Sequence, residues 1–321
     1  MLKKIIIICF CLVILSALLV SCGEGSANDK DEGLSIVTTV FPQYDFLKNL
    51  TEGTSSKVSM LLPFGSEPHS YEPTPSDVIT IAESDMFVWV GGESEAWADR
   101  LIAGAGSQKT KLIALMDIVP LLENENGHGG EQHSDHTHSE EEKHDHTHDE
   151  HVWTSPKNAV MIVERLAEEL CALDEENSEI YRSNADSYIK RLVELDHALA
   201  ALAGKAEKTL IFGDRFPFLY LTKEYGFKYT SPFSGCSSDT EASMAEIADV
   251  IAVAKREKAA VVFSVDFSNE KLAKNIAQEA GAKVLRLYSC HTLGGEDVKN
   301  GVGYIELMQK NLNSLEEAFK N

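Results

Sequence analysis

Two stretches of this sequence carry side chains able to hold a metal ion. The first, GSEPHSYEPTPSD (65–77), sets a single histidine, His69, among three prolines. Prolines remove freedom from the unfolded chain, so such a loop holds its histidine in place before any ligand arrives. The loop follows a strand pattern, and the carboxyl ends of parallel strands are where α/β proteins place ligand groups. Taken alone, the stretch reads more simply as a rigid surface turn with a solvated histidine. The second stretch, GHGGEQHSDHTHSEEEKHDHTHDEHVW (127–153), contains eight of the eleven histidines. Seven of them, His128 to His148, lie among Asp, Glu, Ser, Thr and Gly with no apolar periodicity. No core can form from that composition, which predicts a disordered loop over 123–150. Its HxH spacing lets neighbouring rings share a cation only in a changing geometry, and imidazole without thiolate favours zinc over manganese. The loop therefore reads as a low-affinity zinc collector or sensor, with a solvated insert of no function as the alternative. His151 differs: Val152, Trp153 and a Ser155-Pro156 helix start anchor its backbone.

These residues need elements to position them. Short apolar runs at 34–40, 57–63, 86–92 and 111–117 predict strands, alternating with helices over 44–53, one capped by Ser76 and running through Ala82, and one over 97–102. A helix follows from 156 to about 173, then one from about 177 to 202 that ends at Gly204. At ~1.5 Å per residue the latter is roughly 40 Å long and suits a strut. Alternation resumes with strands at 207–213, 259–265 and 282–288, an extended 228–234, and helices over 217–224, 241–258, 269–280 and 303–320. The pattern is α/β: two parallel-sheet lobes joined by a long rigid helix. The lobes are expected over 34–175 and 205–321, with 176–204 as the connecting helix.

The chain begins MLKKIIIICFCLVILSALLVSCGEG. Two lysines, an apolar run and small residues before Cys22 describe a secretion signal over 1–21 rather than a membrane span. The LVSC ending resembles the lipobox of bacterial lipoproteins, which implies cleavage before Cys22 and its acylation. A polar tether follows over 22–33. The formal net charge of −22 argues against a nucleic-acid partner, since no basic stripe is available for phosphates. It suits a protein that gathers cations, and equally an acidic surface that serves only solubility. Beyond Cys22, three cysteines remain, an odd number that excludes a disulfide scaffold. One bridge at most can form, with Cys236 and Cys290 the plausible pair; Cys171 falls beside apolar spacing and reads as core. His197, on the long helix, reads as a surface or packing residue. HEXXH, a hydrolase elbow, a phosphate loop and CxxC are all absent from the sequence.

EPHSYEPTPSD and DEHVWTSP together resemble the two ligand loops of the substrate-binding lipoproteins of bacterial zinc and manganese ABC importers. The resemblance extends over nearly the whole mature chain. It implies two α/β lobes clamping one metal ion, with His69 and His151 as its first two ligands, and an extracytoplasmic, lipid-anchored monomer that serves an importer permease. The third-ligand slot falls on Arg215 in IFGDRFPFLYLTKEYGF, and a guanidinium has no lone pair to give. Asp214 beside it could ligate if the loop shifts by one residue; otherwise the two form an ion pair that shapes the cleft. The fourth slot falls in LYSCHTLGG, which offers Cys290 and His291, and Cys236 in PFSGCSSDTEAS could approach the same cleft. The expected set is His69, His151, Asp214 and His291 around Zn2+ as transported ligand, with Mn2+ the alternative if two carboxylates complete the site. Rival readings are a surface adhesin or zinc-storage lipoprotein without a transporter, and a zinc enzyme in which Glu67 would be the base.

Overall fold

The computed structural model describes residues 33–67, 69, 71–105, 109–124, 148–233, 235–236 and 242–320. The expected signal, tether and most of the histidine-rich loop lie outside them. Among the described residues no helix is long and apolar enough to cross a membrane.

The first sheet contains β1 (Ser35–Thr38), β2 (Lys57–Met60), β3 (Met86–Trp89) and β4 (Lys111–Ala114), in the order β2-β1-β3-β4. All its pairs are parallel, with Ile36 opposite both Val58 and Met86. Helices α1 (Phe41–Leu50), α2 (Pro75–Glu83) and α3 (Ala96–Ala105) supply the crossovers. The second sheet repeats the plan. It contains β5 (Leu210–Phe212), β6 (Tyr229–Thr230), β7 (Val261–Val265) and β8 (Lys283–Leu287), again parallel, in the order β6-β5-β7-β8. Its helices are α6 (Leu219–Tyr225), α7 (Met244–Arg256) and α8 (Lys271–Ala280). Strands β3 and β7 are buried at every residue, as parallel strands covered on both faces must be. In each sheet the strand order reverses between the two central strands. That switch point opens a crevice at their carboxyl ends.

In the chain, α4 (Pro156–Leu173) and α5 (Ser178–Ala203) lie between the strands of the two sheets. Ser155 caps α4 by accepting the Asn158 amide at 3.3 Å, with Pro156 at the first helical position. α5 has 26 residues, roughly 39 Å at ~1.5 Å each. Its buried Tyr181, Ala185, Tyr188, Leu192, Leu195 and Leu199 recur at three- and four-residue intervals, one stripe packed on α4, α1 and the closing helix α10 (Tyr304–Phe319). One continuous apolar cluster joins Val88 of the first sheet, Leu192 of α5 and Phe212 and Phe263 of the second. The two lobes therefore share a core, which stiffens the molecule around the crevice.

Several expectations are corrected. α2 is capped by Thr74, not Ser76: Pro75 takes the first helical position, and Asp77 returns its carboxylate to the Thr74 amide at 2.7 Å. β4 stops at Ala114, and Leu115–Asp117 forms a 3-10 turn. The margins of the histidine-rich insert are ordered, not loose. Glu123 and His148 form an antiparallel bridge, and the Asp149 amide donates to the Leu122 carbonyl at 2.9 Å. A short helix α9 (Gly295–Lys299), hidden in a glycine-rich run, precedes α10.

Gly213 ends β5 where α8 crosses closely. A Cβ there would lie 2.5 Å from Ala273 Cα and 3.0 Å from Val262 Cγ1. Gly213→Ala is expected to destabilise by about 1–3 kcal/mol through overpacking. Thermal unfolding checks this, and an unchanged midpoint would mean that α8 does not seat against this turn.

Candidate metal centre

Every candidate ligand follows the carboxyl end of a strand. His69 follows β2, Cys236 follows β6, and His291 follows β8. His151 comes after the insert beyond β4, at the start of the Val152–Thr154 turn. One donor atom each from His69, His151 and Cys236 lies within 4.8 Å of the other two. His69 Nε2 is 3.3 Å from Cys236 Sγ. The His291 ring stands edge-on beside them, its centroid 4.8 Å from that of His151 and 5.2 Å from that of His69. A cavity of about 20 Å³ beside them is lined by His69, Cys236 and His291 and, among others, by Glu67, Arg215 and Asp266. About 10–15 Å³ suffices for one water, so the space fits a single small ion and no organic molecule.

The second layer orients these rings. Asp149 Oδ1 accepts from the His151 amide at 2.9 Å and from His151 Nδ1 at 3.1 Å. That fixes the Nδ1–H tautomer and turns the Nε2 lone pair inward. Nε2 is buried without a hydrogen-bond partner. Asp149 is itself held, because Tyr220 Oη donates to its carbonyl at 3.0 Å. Next along, Trp153 Nε1 donates to the Ser289 carbonyl at 2.8 Å, and Tyr304 Oη donates to the Trp153 carbonyl at 2.5 Å. The Phe41 amide, at the start of α1, donates to the His291 carbonyl at 2.9 Å. Ligand loops of one lobe are thus tied to the backbone of the other.

Burial favours a neutral His151, yet the Asp149 carboxylate and the Cys236 sulfur outweigh it and raise its pKa well above the ordinary value. Burial also opposes a Cys236 thiolate, but the close approach and charge of His151, and after it the contact with His69, bring the thiol down to about 7. Burial pushes His291 well below its ordinary value, and the charges of His151, His69 and Arg215 add to it. It therefore stays neutral with a lone pair to offer. Asp266 Oδ1 accepts the Ser289 amide at 2.7 Å, while its buried Oδ2 has no hydrogen-bond partner. Burial raises this carboxyl to about 6.

The structure brings His69, His151 and His291 together and does not bring the Asp214 carboxylate among them. Asp214 accepts the backbone amides of Arg215, at 2.9 Å, and of Val265, at 3.4 Å, so it shapes the turn after β5. Arg215 pairs with Glu67 across the crevice at 3.3 Å. That ion pair engages the carboxylate considered as a base. The cysteines are free thiols: Cys236 faces His69, while Cys290 is wholly buried with its sulfur 3.6 Å from the Tyr288 carbonyl. The expected bridge between them does not form. His197 is exposed on α5. Asp149 and Asp266 escaped the sequence reading; the only signal for Asp149 was its place two residues before His151.

Two parallel-sheet lobes, a shared core and an ion-sized crevice lined by imidazoles and a thiol define a two-lobed cation-binding protein. Residues 36–318 match the family described as zinc-uptake complex component A, periplasmic, and the chain belongs to that family. It is 33% identical over 312 residues to the high-affinity zinc uptake system protein ZnuA of Bacillus subtilis, covering 97% of this chain and 96% of that protein. It is 34% identical over 305 residues to the zinc-binding lipoprotein AdcA of Streptococcus pneumoniae, covering 93% of this chain but 58% of AdcA. The crystal structure of the Zn(II)-bound ZnuA-like domain of the same AdcA superposes with a TM-score of 0.72 at 32% identity, covering 90% of this chain and 100% of that one.

Proposed function

We propose that this chain is an extracytoplasmic solute-binding protein that captures Zn2+ between its lobes and passes it to the permease of an ABC importer. It acts as a monomer, held at the membrane by lipid on Cys22. It makes and breaks no covalent bond in its cargo. His69 and His151 are the anchoring ligands, and His291 stands ready beside them. The observation that carries this reading is the buried, unpartnered Nε2 of His151, within 4.8 Å of a second imidazole and a thiol from other loops, both of which line an adjoining cavity sized for one ion. Leaving such a group unsatisfied costs about 1–3 kcal/mol, a cost that a bound cation removes. Donors that are imidazole and sulfur suit zinc better than manganese, whose preferred ligands are oxygens. The names of the relatives agree with that choice.

Native mass spectrometry after zinc loading and a wash with a moderate chelator tests the reading. The mature chain and a version lacking 127–147 are compared; the deletion spares His148 and Asp149, which are anchored to the fold. Each is expected to retain one zinc, and His69→Ala to lose it. Failure of the shortened chain to retain zinc would make the histidine-rich insert the metal binder and defeat the interlobe assignment.

A further inference from the structure

The third ligand remains to be assigned, and its identity sets which cations this protein takes. Among the side chains lining the crevice, Arg215 cannot ligate, because a guanidinium has no lone pair to give. Its guanidinium is committed instead to Glu67, at 3.3 Å, on the loop that carries His69. That pair spans the crevice beside the two imidazoles. Cys236 reaches them from the loop after β6, the strand next to β5 in the sheet. Its backbone is fixed there, because the Phe216 amide donates to the Gly235 carbonyl at 2.9 Å. Its sulfur is buried, 3.3 Å from His69 Nε2 and within 4.8 Å of the His151 donor atom.

We propose that Cys236 is a metal ligand, so that the site is a two-imidazole, one-thiolate centre that takes thiophilic d10 cations, Cd2+ as well as Zn2+, and rejects Mn2+. The proposal rests on the interlobe capture reading and deepens it. On binding, the thiol S–H bond breaks, its proton passes to solvent, and a sulfur–metal bond forms with no change of oxidation state. Two observations point to it independently. His151 Nε2 is a buried donor with no hydrogen-bond partner, aimed at the place a shared ion would occupy. Cys236 Sγ has no disulfide partner and faces imidazole rather than an apolar packing surface. Distances of ~2.0–2.1 Å from nitrogen and ~2.3 Å from sulfur to zinc place donor atoms between three and four ångströms apart around a tetrahedral ion. The present separations, 3.3 Å between His69 Nε2 and Cys236 Sγ and at most 4.8 Å among the three donors, need only small adjustments to reach that. Neutral His291 or the free oxygen of Asp266, both on the same cavity, could close the fourth position without altering the prediction about sulfur.

The test uses Co2+ as a spectroscopic substitute in the full mature chain under reducing conditions. Wild-type protein washed with a moderate chelator is expected to hold one Co2+ with an intense near-ultraviolet sulfur-to-cobalt charge-transfer band. Cys236→Ser should lose that band, Cys290→Ser should keep it, and Cys236→His should lose the band yet still retain cobalt and zinc. The histidines of the insert cannot mimic the signal, since they carry no sulfur. Cadmium affinity of Cys236→Ser should fall by more than the roughly 10–100-fold typical of losing an outer-sphere partner, and by more than its zinc affinity falls. A wild-type cobalt complex without the sulfur band, or a band that survives in Cys236→Ser, would overturn the assignment while leaving interlobe capture intact. A wild-type chain that retains no metal after the wash would overturn both. Circular dichroism and thermal melts of the variants separate lost ligation from lost fold.

Discussion

His151→Ala is expected to abolish tight zinc retention, lowering affinity by more than ~100-fold, while Asp149→Asn costs roughly 10–100-fold. The second figure is typical for a partner that orients a ligating imidazole. The first must exceed it, because the ligand itself is gone. The pair also differs in its response to pH. In the metal-free protein His151 holds its proton well above the ordinary histidine range, because burial is outweighed by Asp149 and by the sulfur of Cys236. Zinc needs the Nε2 lone pair, so binding expels that proton. Wild-type affinity should therefore rise with pH, about tenfold per unit for each proton displaced. Below about 7, where the Cys236 thiol also regains its proton, the slope should steepen. His151→Ala removes one competing proton but also the charge that lowers the Cys236 thiol, which then keeps its own proton to higher pH. Residual binding should therefore depend on pH less steeply than in wild type below about 7, with the difference closing above it. Chelator competition between pH 5.5 and 8 measures both effects. Equal slopes for wild type and His151→Ala below about 7 would show that His151 does not meet the metal.

The alternation of strands and helices was legible because parallel strands buried on both faces must be runs of apolar residues, and VVFSV and MFVW are short, rich in β-branched and aromatic residues, and so read as strands rather than buried helix. His69 and His151 were legible for a different reason: prolines and a helix start confine them, and a confined histidine stands out from a mobile one. Cys236 was only half legible. GCSSDT has no periodicity, and nothing local ties it to His69, 167 residues away. The parallel order β6-β5-β7-β8 brings it there, and strand order is a tertiary property. Asp214 misled for the converse reason. A carboxylate next to the expected slot is chemically plausible, but two backbone amides at the end of β5 need an acceptor and claim it. The bridge between Cys236 and Cys290 failed on direction, one sulfur turned to the crevice and the other to the core.

The shared core implies that metal capture changes this molecule little, since moving one lobe against the other would open the cluster that runs from Val88 through Leu192 to Phe263. A protein built this way controls release through its ligand loops more than through a hinge. The bond from Trp153 to Ser289 is then a control point, because it ties the His151 turn to the loop that carries His291.

Trp153→Ala should be the most destabilising single change near the site. The side chain is 1% exposed, lies in the shared core, and sets its indole edge-on against His291 at 4.9 Å between centroids. Removing it is expected to cost about 3–5 kcal/mol as a cavity. For a chain of this size that lowers the melting midpoint by roughly 6–20 °C. Trp153→Phe separates packing from the hydrogen bond. It keeps an aromatic face but leaves the Ser289 carbonyl without its donor, a cost of about 1–3 kcal/mol. If the bond tethers the two ligand loops, Trp153→Phe should release zinc faster in stopped-flow chelator exchange than its modest loss of stability explains. Ile276→Val, destabilised by about 0.5–1.5 kcal/mol in the separate cluster of the second lobe, provides the comparison at similar stability. Identical zinc release from Trp153→Phe and Ile276→Val would mean that Trp153 contributes only packing, and control of release would then have to lie in the Arg215–Glu67 pair across the crevice.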